Sequence, residues 1–292
     1  MTAERGSLEH IEVSVGGLGF HVVVAGPSDA RPVMLLHGFP EFWYGWRPLI
    51  EPLAEAGFRV IVPDQRGYGR SAKPGAVADY ALDLLASDAV GIAGALGHRE
   101  FDLIGHDWGG IVAWWAALKY PKRVRRLVVV NAPHPVAARR YARWRWRQLL
   151  KSWYILFFQI PKLPEFFLRV GDFALLRSAL RFSAPRGLFG EEDCAAYREA
   201  WSEPGALTAM LDWYRAFPKF RARGTDLTVR QPTLIIWGDR DAFLEFGLAA
   251  ASARFCDDAR IVRIEGASHW VHHEGPERIA EEIVAFLDRA SA

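Results

Sequence analysis

Short apolar runs alternate with helix-like segments through the first 133 residues of the chain and again after residue 229. Runs such as RPVMLLHG (31–38) and FDLIGHD (101–107) have the length and apolar content of strands that are buried on both faces of a sheet. Longer segments with helical periodicity separate these runs. Because strand–helix alternation produces parallel strands with helices on both faces, we predict an α/β fold built around a mostly parallel sheet.

The alternation stops in the middle of the chain. Residues 134–228 contain no convincing strand and consist of Arg- and Trp-rich helical stretches interrupted by prolines. Strand–helix alternation resumes at QPTLIIWGD (231–239). We therefore predict a core in two parts, residues 1–133 and 229–292, with residues 134–228 inserted between two strands as an all-helical domain.

The composition argues against several classes of protein. A formal net charge of +2 gives no indication of a nucleic-acid partner. The two cysteines, Cys194 and Cys256, do not have the spacing of metal ligands, so we expect no metal centre. No run approaches the roughly 18 apolar residues of a spanning helix, and the polar N-terminus does not resemble a signal peptide. We predict a cytoplasmic protein without stable membrane insertion; the sequence leaves a homodimer open.

A strand, a sharp turn and a helix meet at FDLIGHDWGGIVAWWAAL (101–118). Its centre, Gly105 to Gly109, has the form Gly-x-nucleophile-x-Gly, with Asp107 in the position that serine usually occupies. Glycines suit this turn because the strand and helix backbones approach too closely for side chains. A carboxylate at the helix N-terminus is stabilised by the helix dipole and needs no base to act as a nucleophile. An ordinary N-cap aspartate is the alternative interpretation.

Two later strand ends supply candidate partners for Asp107. The run TLIIWGD is followed by Asp241, and the run ARIVRIEGASH ends at His269. Both residues would lie at the carboxyl ends of parallel strands, where such sheets bind ligands. We predict that His269 is a base and that Asp241 orients it. The competing residues are Asp239, which we interpret as a turn or capping residue, for the acid, and His272 and His273 for the base.

Backbone amides near Asp107 are candidates for stabilising a developing negative charge. The segment LLHGFP (35–40) ends a strand, and the N–H of Phe39 together with that of Trp108 would form an oxyanion hole. The Phe39–Pro40 bond is also a candidate cis peptide, because cis bonds occur mainly before proline. A tight turn with no further role is the alternative interpretation.

Taken together, these segments resemble the epoxide hydrolases of the α/β-hydrolase fold over nearly the whole chain. The matching motifs are HGFPEFWYGW, PDQRGYGRS, GHDWGG, NAPHP, WGDRD and GASHW. The resemblance implies that Asp107 attacks the substrate, that His269 activates water with Asp241 as its partner, and that the helical insertion is a cap over the site. It further implies an apolar epoxide as the substrate, hydrolysed with water to a vicinal diol, and no metal or organic cofactor.

The same resemblance assigns two tyrosines of the cap to the epoxide oxygen. The matching positions are Tyr154 in KSWYILFFQ and, more closely, Tyr214 in LDWYRAF, where Asp212 replaces the family's usual Asn. A tyrosine hydroxyl, with an ordinary pKa of about 10, can protonate the leaving oxygen as charge develops on it. The tyrosines that we interpret as packing or structural residues are Tyr44, Tyr141 and Tyr197.

Three alternative functions remain open. A haloalkane or haloacid dehalogenase shares the Asp–His–Asp set, and the Trp108 indole would hold its halide, but a departing halide needs no proton from a tyrosine. A non-catalytic ligand-binding protein of this fold is disfavoured by the intact set of catalytic groups. The segment ARRYARWRWRQLL (138–150) suggests a helix at a membrane surface. We favour instead a cap helix with solvated arginines and with its tryptophans packed inward.

Overall fold

The computed structural model describes residues 8–143, 145–219 and 226–289. The strands are β1 (Glu9–Val15), β2 (Leu18–Ala25), β3 (Arg31–Leu36), β4 (Phe58–Pro63), β5 (Phe101–His106), β6 (Val124–Val130), β7 (Thr233–Gly238) and β8 (Ala259–Ile264). They form one sheet in the order β1-β2-β4-β3-β5-β6-β7-β8. β1 and β2 form an antiparallel hairpin and β2 pairs antiparallel with β4, whereas β3 to β8 run parallel. The predicted mostly parallel α/β sheet is confirmed.

Helices connect the strands and fill the long interval between β6 and β7. They are α1 (Arg47–Glu55), α2 (Leu82–Ala95), α3 (Asp107–Lys119), α4 (Pro135–Ala142), α5 (Trp146–Lys151), α6 (Trp153–Phe157), α7 (Leu163–Ser183), α8 (Glu191–Ser202), α9 (Ala206–Ala216), α10 (Gly247–Ala253), α11 (Val271–Glu274) and α12 (Pro276–Leu287). Short 3-10 turns lie at Trp43–Trp46, Val77–Tyr80 and Phe217–Lys219. Among the described residues, no helix is long and apolar enough to cross a membrane.

The buried strands place alternate side chains in two separate cores. In β3, Val33 and Leu35 pack in the core that α1 and α12 complete, whereas Met34 and Leu36 pack in the core with α2 and α3. This alternation follows from the two-residue period of a strand. Because both faces are covered, the strands read in the sequence as uninterrupted apolar runs.

The helical insertion consists of α4 to α9, and the residues described between β6 and β7 contain no strand. This confirms the all-helical insertion in the predicted fold, while its limits at residues 134 and 228 stay a prediction. Within α7, Gly171, Asp172 and Phe173 have positive φ, so α7 is two helical segments joined at a kink. The sequence pattern indicated neither this kink nor α10.

Candidate active site

β5 turns directly into α3 at Asp107. This residue has a φ of +49°, in the left-handed region that residues other than glycine rarely occupy. A Cβ atom on Gly105 would lie 2.4 Å from the carbonyl oxygen of Gly109, and one on Gly109 would lie 2.2 Å from that of Leu36. Both positions therefore require glycine, and the turn presents the Asp107 side chain at the carboxyl end of the sheet.

The two oxygens of the Asp107 carboxylate have different neighbours. Oδ1 accepts a hydrogen bond from the backbone N–H of Phe39 over 3.0 Å. Oδ2 lies 3.6 Å from Nε2 of His269. Burial alone would raise the pKa of Asp107, but the adjacent His269 and the Phe39 amide hold that pKa below its ordinary value. Asp107 is therefore ionised at neutral pH.

His269 and Asp241 form a buried hydrogen-bonded pair. Nδ1 of His269 donates to Oδ2 of Asp241 over 2.7 Å, since the ionised carboxylate can only accept. Burial alone would lower the pKa of His269, but the charge of Asp241 and the proximity of Asp107 raise it to about 10. His269 is therefore an imidazolium flanked by two carboxylates at neutral pH.

Asp241 is held by backbone and side-chain donors as well as by His269. Its Oδ1 accepts hydrogen bonds from the N–H groups of Phe243, over 2.7 Å, and Leu244, over 2.9 Å. Its Oδ2 also accepts one from Nδ2 of Asn131 over 2.7 Å. Burial would raise the pKa of Asp241, yet His269 and these donors keep it below its ordinary value. The carboxylate is thus fixed in both position and charge.

Asn131 also lies at this site, although its position in the sequence did not single it out. It follows β6 with a φ of +44°, and its Oδ1 accepts a hydrogen bond from the N–H of Gly238 over 3.0 Å. The amide therefore ties Asp241 to the end of β7. Two features of the sequence could have identified Asn131. Asparagine tolerates a positive φ, and this asparagine directly follows a buried apolar strand.

Tyr154 on α6 and Tyr214 on α9 lie together at the same site. Their ring centroids are 6.0 Å apart, and the Tyr214 ring packs edge-on against Trp108 at 4.9 Å and Phe39 at 5.3 Å. Burial raises the pKa of both hydroxyls, and the nearby charge of Asp107 raises it further. Both tyrosines are therefore neutral hydrogen-bond donors at neutral pH.

The two predicted amide donors flank Asp107. The N–H of Phe39 already contacts Oδ1, while Trp108 is the next residue in the first turn of α3, where backbone N–H groups lack a partner within the helix. The Phe39–Pro40 peptide is cis, as predicted. The joint role of these amides as an oxyanion hole stays a prediction.

The competing residues are engaged in other contacts. Asp239 binds an arginine side chain of β8 and accepts a hydrogen bond from the glycine amide that follows β8, as a turn residue would. His272 and His273 both contact the carboxylate of Glu41. The three tyrosines that we interpreted as packing or structural residues donate to carboxylates: Tyr44 to Asp193 over 3.4 Å, Tyr141 to Glu245 over 3.0 Å and Tyr197 to Glu41 over 2.7 Å.

Glu41 is the centre of a buried network behind His269 that the sequence analysis also missed. Its carboxylate accepts hydrogen bonds from the Tyr197 hydroxyl, over 2.7 Å, and from Nε2 of His273, over 2.8 Å. His106 has Nδ1 3.4 Å from this carboxylate and donates from Nε2 to the carbonyl oxygen of His269 over 3.0 Å. Burial would raise the pKa of Glu41, but the histidines hold it well below its ordinary value. A buried charge is thus linked to the backbone of His269.

The sequence matches known families over most of its length. Residues 31–276 match the profile of the alpha/beta hydrolase fold. The chain is 42% identical over 275 residues to the AB hydrolase superfamily protein YfhM of Bacillus subtilis (strain 168), which covers 94% of this chain and 96% of that protein. It is 38% identical over 285 residues to epoxide hydrolase 4 of Homo sapiens, covering 95% of this chain and 78% of the human protein.

Solved structures agree with these matches. The crystal structure of a Bacillus megaterium epoxide hydrolase in complex with an inhibitor has a TM-score of 0.87 at 27% identity, covering 96% of this chain and 100% of that one. An epoxide hydrolase from metagenomes of hot environments has a TM-score of 0.87 at 31% identity, covering 98% and 100%. The resemblance that the motifs carry is confirmed. The chain belongs to the α/β-hydrolase fold family and, within it, to the group of the epoxide hydrolases.

Proposed function

We propose that this protein hydrolyses an apolar epoxide to a vicinal diol through a covalent ester of Asp107. The observation that most strongly supports this function is the pairing of Tyr154 with Tyr214, whose ring centroids are 6.0 Å apart, beside the ionised carboxylate of Asp107. A carboxylate nucleophile that opens an epoxide ring needs such donors for the departing oxygen.

In the first step, Asp107 attacks a ring carbon and the carbon–oxygen bond of the epoxide breaks. Oδ1 is held by the Phe39 amide, so Oδ2 is the attacking oxygen. The departing oxygen takes a proton from Tyr154 or Tyr214, because an unprotonated alkoxide would be a poor leaving group. Each hydroxyl carries this proton at neutral pH, because the ordinary pKa of tyrosine is about 10 and burial raises it further.

The proton that the tyrosine loses is replaced from the His269 imidazolium. Ester formation removes the negative charge of Asp107, which is one of the interactions that raise the pKa of His269. The pKa of His269 therefore falls in the ester intermediate, and the imidazole becomes the neutral base that the second step requires.

In the second step, His269 takes a proton from water and the hydroxide attacks the ester carbonyl carbon of Asp107. The N–H groups of Phe39 and Trp108 stabilise the oxyanion. The ester bond then breaks, and the diol oxygen leaves with the remaining proton of the water. Asp107 returns as a carboxylate and His269 as an imidazolium, so the cycle balances with water alone. Asp241 keeps the imidazole oriented throughout.

We further propose that residues 134–228 act as a cap domain that supplies both tyrosines. The aromatic rings of Phe39, Phe158 and Phe243 pack around these tyrosines and would favour an apolar substrate. A cytoplasmic location and the lack of a nucleic-acid partner are predictions that derive from the sequence alone, and the sequence leaves a homodimer open.

A dehalogenase on the same fold would use Asp107 and His269 in the same way. In that enzyme the Trp108 indole would bind the halide, whereas here the Trp108 ring packs edge-on against Tyr214, with ring centroids 4.9 Å apart. The residue after the HG motif, Phe39, has an apolar side chain that offers the halide no second donor. These contacts favour the epoxide hydrolase. The intact set of catalytic groups also disfavours a non-catalytic ligand-binding protein.

A turnover screen separates the two enzymes. Aryl and alkyl epoxides, haloalkanes and haloacetate are incubated with the wild type and with Asp107→Ala, and both diol and halide are measured. We expect diol from at least one epoxide, no halide from any substrate, and no diol with the variant. Halide release without any diol would overturn the proposal in favour of the dehalogenase.

A further inference from the structure

The surface of the helical insertion carries an unusual concentration of exposed apolar side chains. Among the described residues, twelve of the fifteen most exposed large apolar side chains lie within residues 146–182. Scattered single apolar residues are ordinary on a protein surface. A contiguous group instead marks a surface that contacts another protein, a membrane or a ligand.

The first part of this surface is a helical stripe that points outward. Trp146, Leu149 and Leu150 recur at the spacing of one helix face on α5, a pattern that normally faces a core, and Trp153 and Leu156 follow on α6. Here Trp146 is 66% exposed, Trp153 is 64% exposed and Leu156 is 76% exposed. The expectation that the tryptophans of this segment pack inward is therefore wrong for Trp146; Trp144 lies outside the described residues.

The stripe continues onto α7 through aromatic contacts. The ring of Phe157 lies 6.3 Å from that of Trp153 and 6.3 Å from that of Phe167. Phe166 and Phe167, whose rings are 5.5 Å apart, are both exposed. The apolar side chains of α5, α6 and the first segment of α7 thus form one continuous face, which we call the basic apolar face.

This region is also strongly basic. Residues 134–190 contain eleven Lys and Arg and two acidic residues, a net charge of +9, so the other residues of this +2 chain sum to −7. Both acidic residues are paired with arginines from outside the region: Glu165 with Arg215 over 2.7 Å, and Asp172 with Arg198 over 2.9 Å. Arg181 pairs with Glu191 just outside the region over 2.6 Å, which still leaves the region with an excess of positive charge.

The arginines border the apolar stripe. Arg143, Arg145 and Arg147 are exposed and, among the described residues, none forms an ion pair with a carboxylate. The guanidinium of Arg147 lies 5.5 Å from the ring centroid of Trp146. Tryptophan beside arginine on one exposed helix is the arrangement of segments that lie in the interface of an anionic bilayer.

We propose that the basic apolar face docks this protein onto the surface of an anionic lipid bilayer. The apolar stripe would enter the acyl boundary while the arginines meet the headgroups. A second copy of the chain is a poorer occupant, because the same face would bring two charges of +9 together. The proposal rests on the surface alone and does not depend on the reaction at Asp107.

Vesicle co-sedimentation tests this docking with the full chain. We expect binding to vesicles of phosphatidylcholine and phosphatidylglycerol in equal parts, much weaker binding to phosphatidylcholine alone, and a loss of affinity as salt rises from about 0.05 to 0.5 M. Changing Arg143, Arg145 and Arg147 singly to Ala should weaken binding about fivefold each, equivalent to about 1 kcal/mol per charge near the membrane.

Matched variants separate the apolar and basic contributions from general surface effects. The double variant Trp146→Ser/Leu150→Ser should lose binding even to the anionic vesicles, whereas Leu84→Ser and Lys122→Ala, exposed residues outside the region, should bind as the wild type does. Circular dichroism melting confirms that each variant is folded. Equal binding by all variants, or no binding to either vesicle, would overturn the proposal. So would a dimer in ultracentrifugation that the double variant abolishes, because a second copy would then occupy the face.

Discussion

The side-chain amide of Asn131 donates a hydrogen bond over 2.7 Å to Oδ2 of Asp241. The same oxygen accepts a hydrogen bond from the Nδ1–H of His269. Oδ1 of Asn131 also accepts a hydrogen bond from the backbone N–H of Gly238. Two donors to one oxygen stabilise the ionised form of Asp241. They also fix the position of that oxygen, and therefore the orientation of the His269 ring.

Removing the Asn131 amide should therefore lower turnover without unfolding the protein. We expect Asn131→Gly to reduce kcat/KM about tenfold or more, because a hydrogen bond to a charged group is lost. Glycine tolerates the positive φ at this position. Asn131→Asp should reduce it further, since a second carboxylate would face Asp241. Steady-state kinetics on an active epoxide provide the measurement. Wild-type rates in Asn131→Asp would contradict this role.

Each cap tyrosine should contribute separately to ring opening. We expect Tyr154→Phe and Tyr214→Phe each to lose about 1–3 kcal/mol of transition-state stabilisation, and the double variant to be nearly inactive. Phe keeps the ring packing, so thermal melting should change little. Tyr141→Phe is the matched control, because that hydroxyl donates to Glu245 instead. A double variant with near-normal rates would remove the tyrosines from the mechanism.

The covalent step predicts where the oxygen of water is found. With enzyme in excess in ¹⁸O-water, the first diol should be largely unlabelled and Asp107 should carry the label, because water attacks the ester carbonyl carbon. His269→Gln should open the ring but hydrolyse the ester slowly, accumulating an adduct of one substrate mass on the peptide with Asp107. Mass spectrometry reads both results. Labelled diol on the first turnover, with no adduct, would mean that water attacks the epoxide directly.

The protonation of His269 should make the free energy of unfolding decrease as the pH becomes alkaline. Its pKa is raised from 6.5 to about 10 in the folded chain, so the protonated form is favoured by folding. This stabilisation is complete below pH 6.5 and is lost as the pH rises through 10. Thermal melting of the wild type should decline more steeply across this window than that of His269→Gln. Parallel profiles would show that His269 is not held as an imidazolium.

The proposed cap should be separable from the core by protease. Limited proteolysis is expected to cut first near residues 185–190 or 203–205, in connections between helices of the insertion, and to leave the sheet protected. N-terminal sequencing of the fragments locates the cuts. Early cleavage in β5 or β6 would contradict the division at residues 134 and 228.

The sequence predicted those parts of the molecule that are encoded locally. β5, the turn at Asp107 and α3 lie in one continuous segment, so apolar pattern and glycines sufficed to identify them. The sequence suggested Asp241 and His269 as site residues because each follows an apolar strand. Asn131 and Asp241 are 110 residues apart, and their hydrogen bond exists only because β6 and β7 are neighbours in the sheet. No local pattern encodes that pairing.

Which helix faces of the insertion are exposed was also hard to predict, because this too depends on contacts between residues that are distant in the sequence. A helical apolar stripe indicates a buried face, but it does not indicate what covers that face. For Trp146 the local pattern suggested packing into the cap, and the structure instead leaves the indole mostly exposed. Likewise, Glu41 gathers histidines from β5 and α11, which are distant in the sequence.

β8 lies at the edge of the sheet and, among the described residues, has β7 as its one neighbouring strand; the loop that follows β8 carries His269. Asp107, by contrast, follows a central strand. Edge strands open more readily than central ones, so the two halves of the chemistry differ in local stability. A molecule in which this edge has frayed would still acquire the substrate as an ester and would fail to release it. If the proposed mechanism holds, we expect some molecules to be trapped as the ester during turnover, at a rate set by the opening of this edge strand.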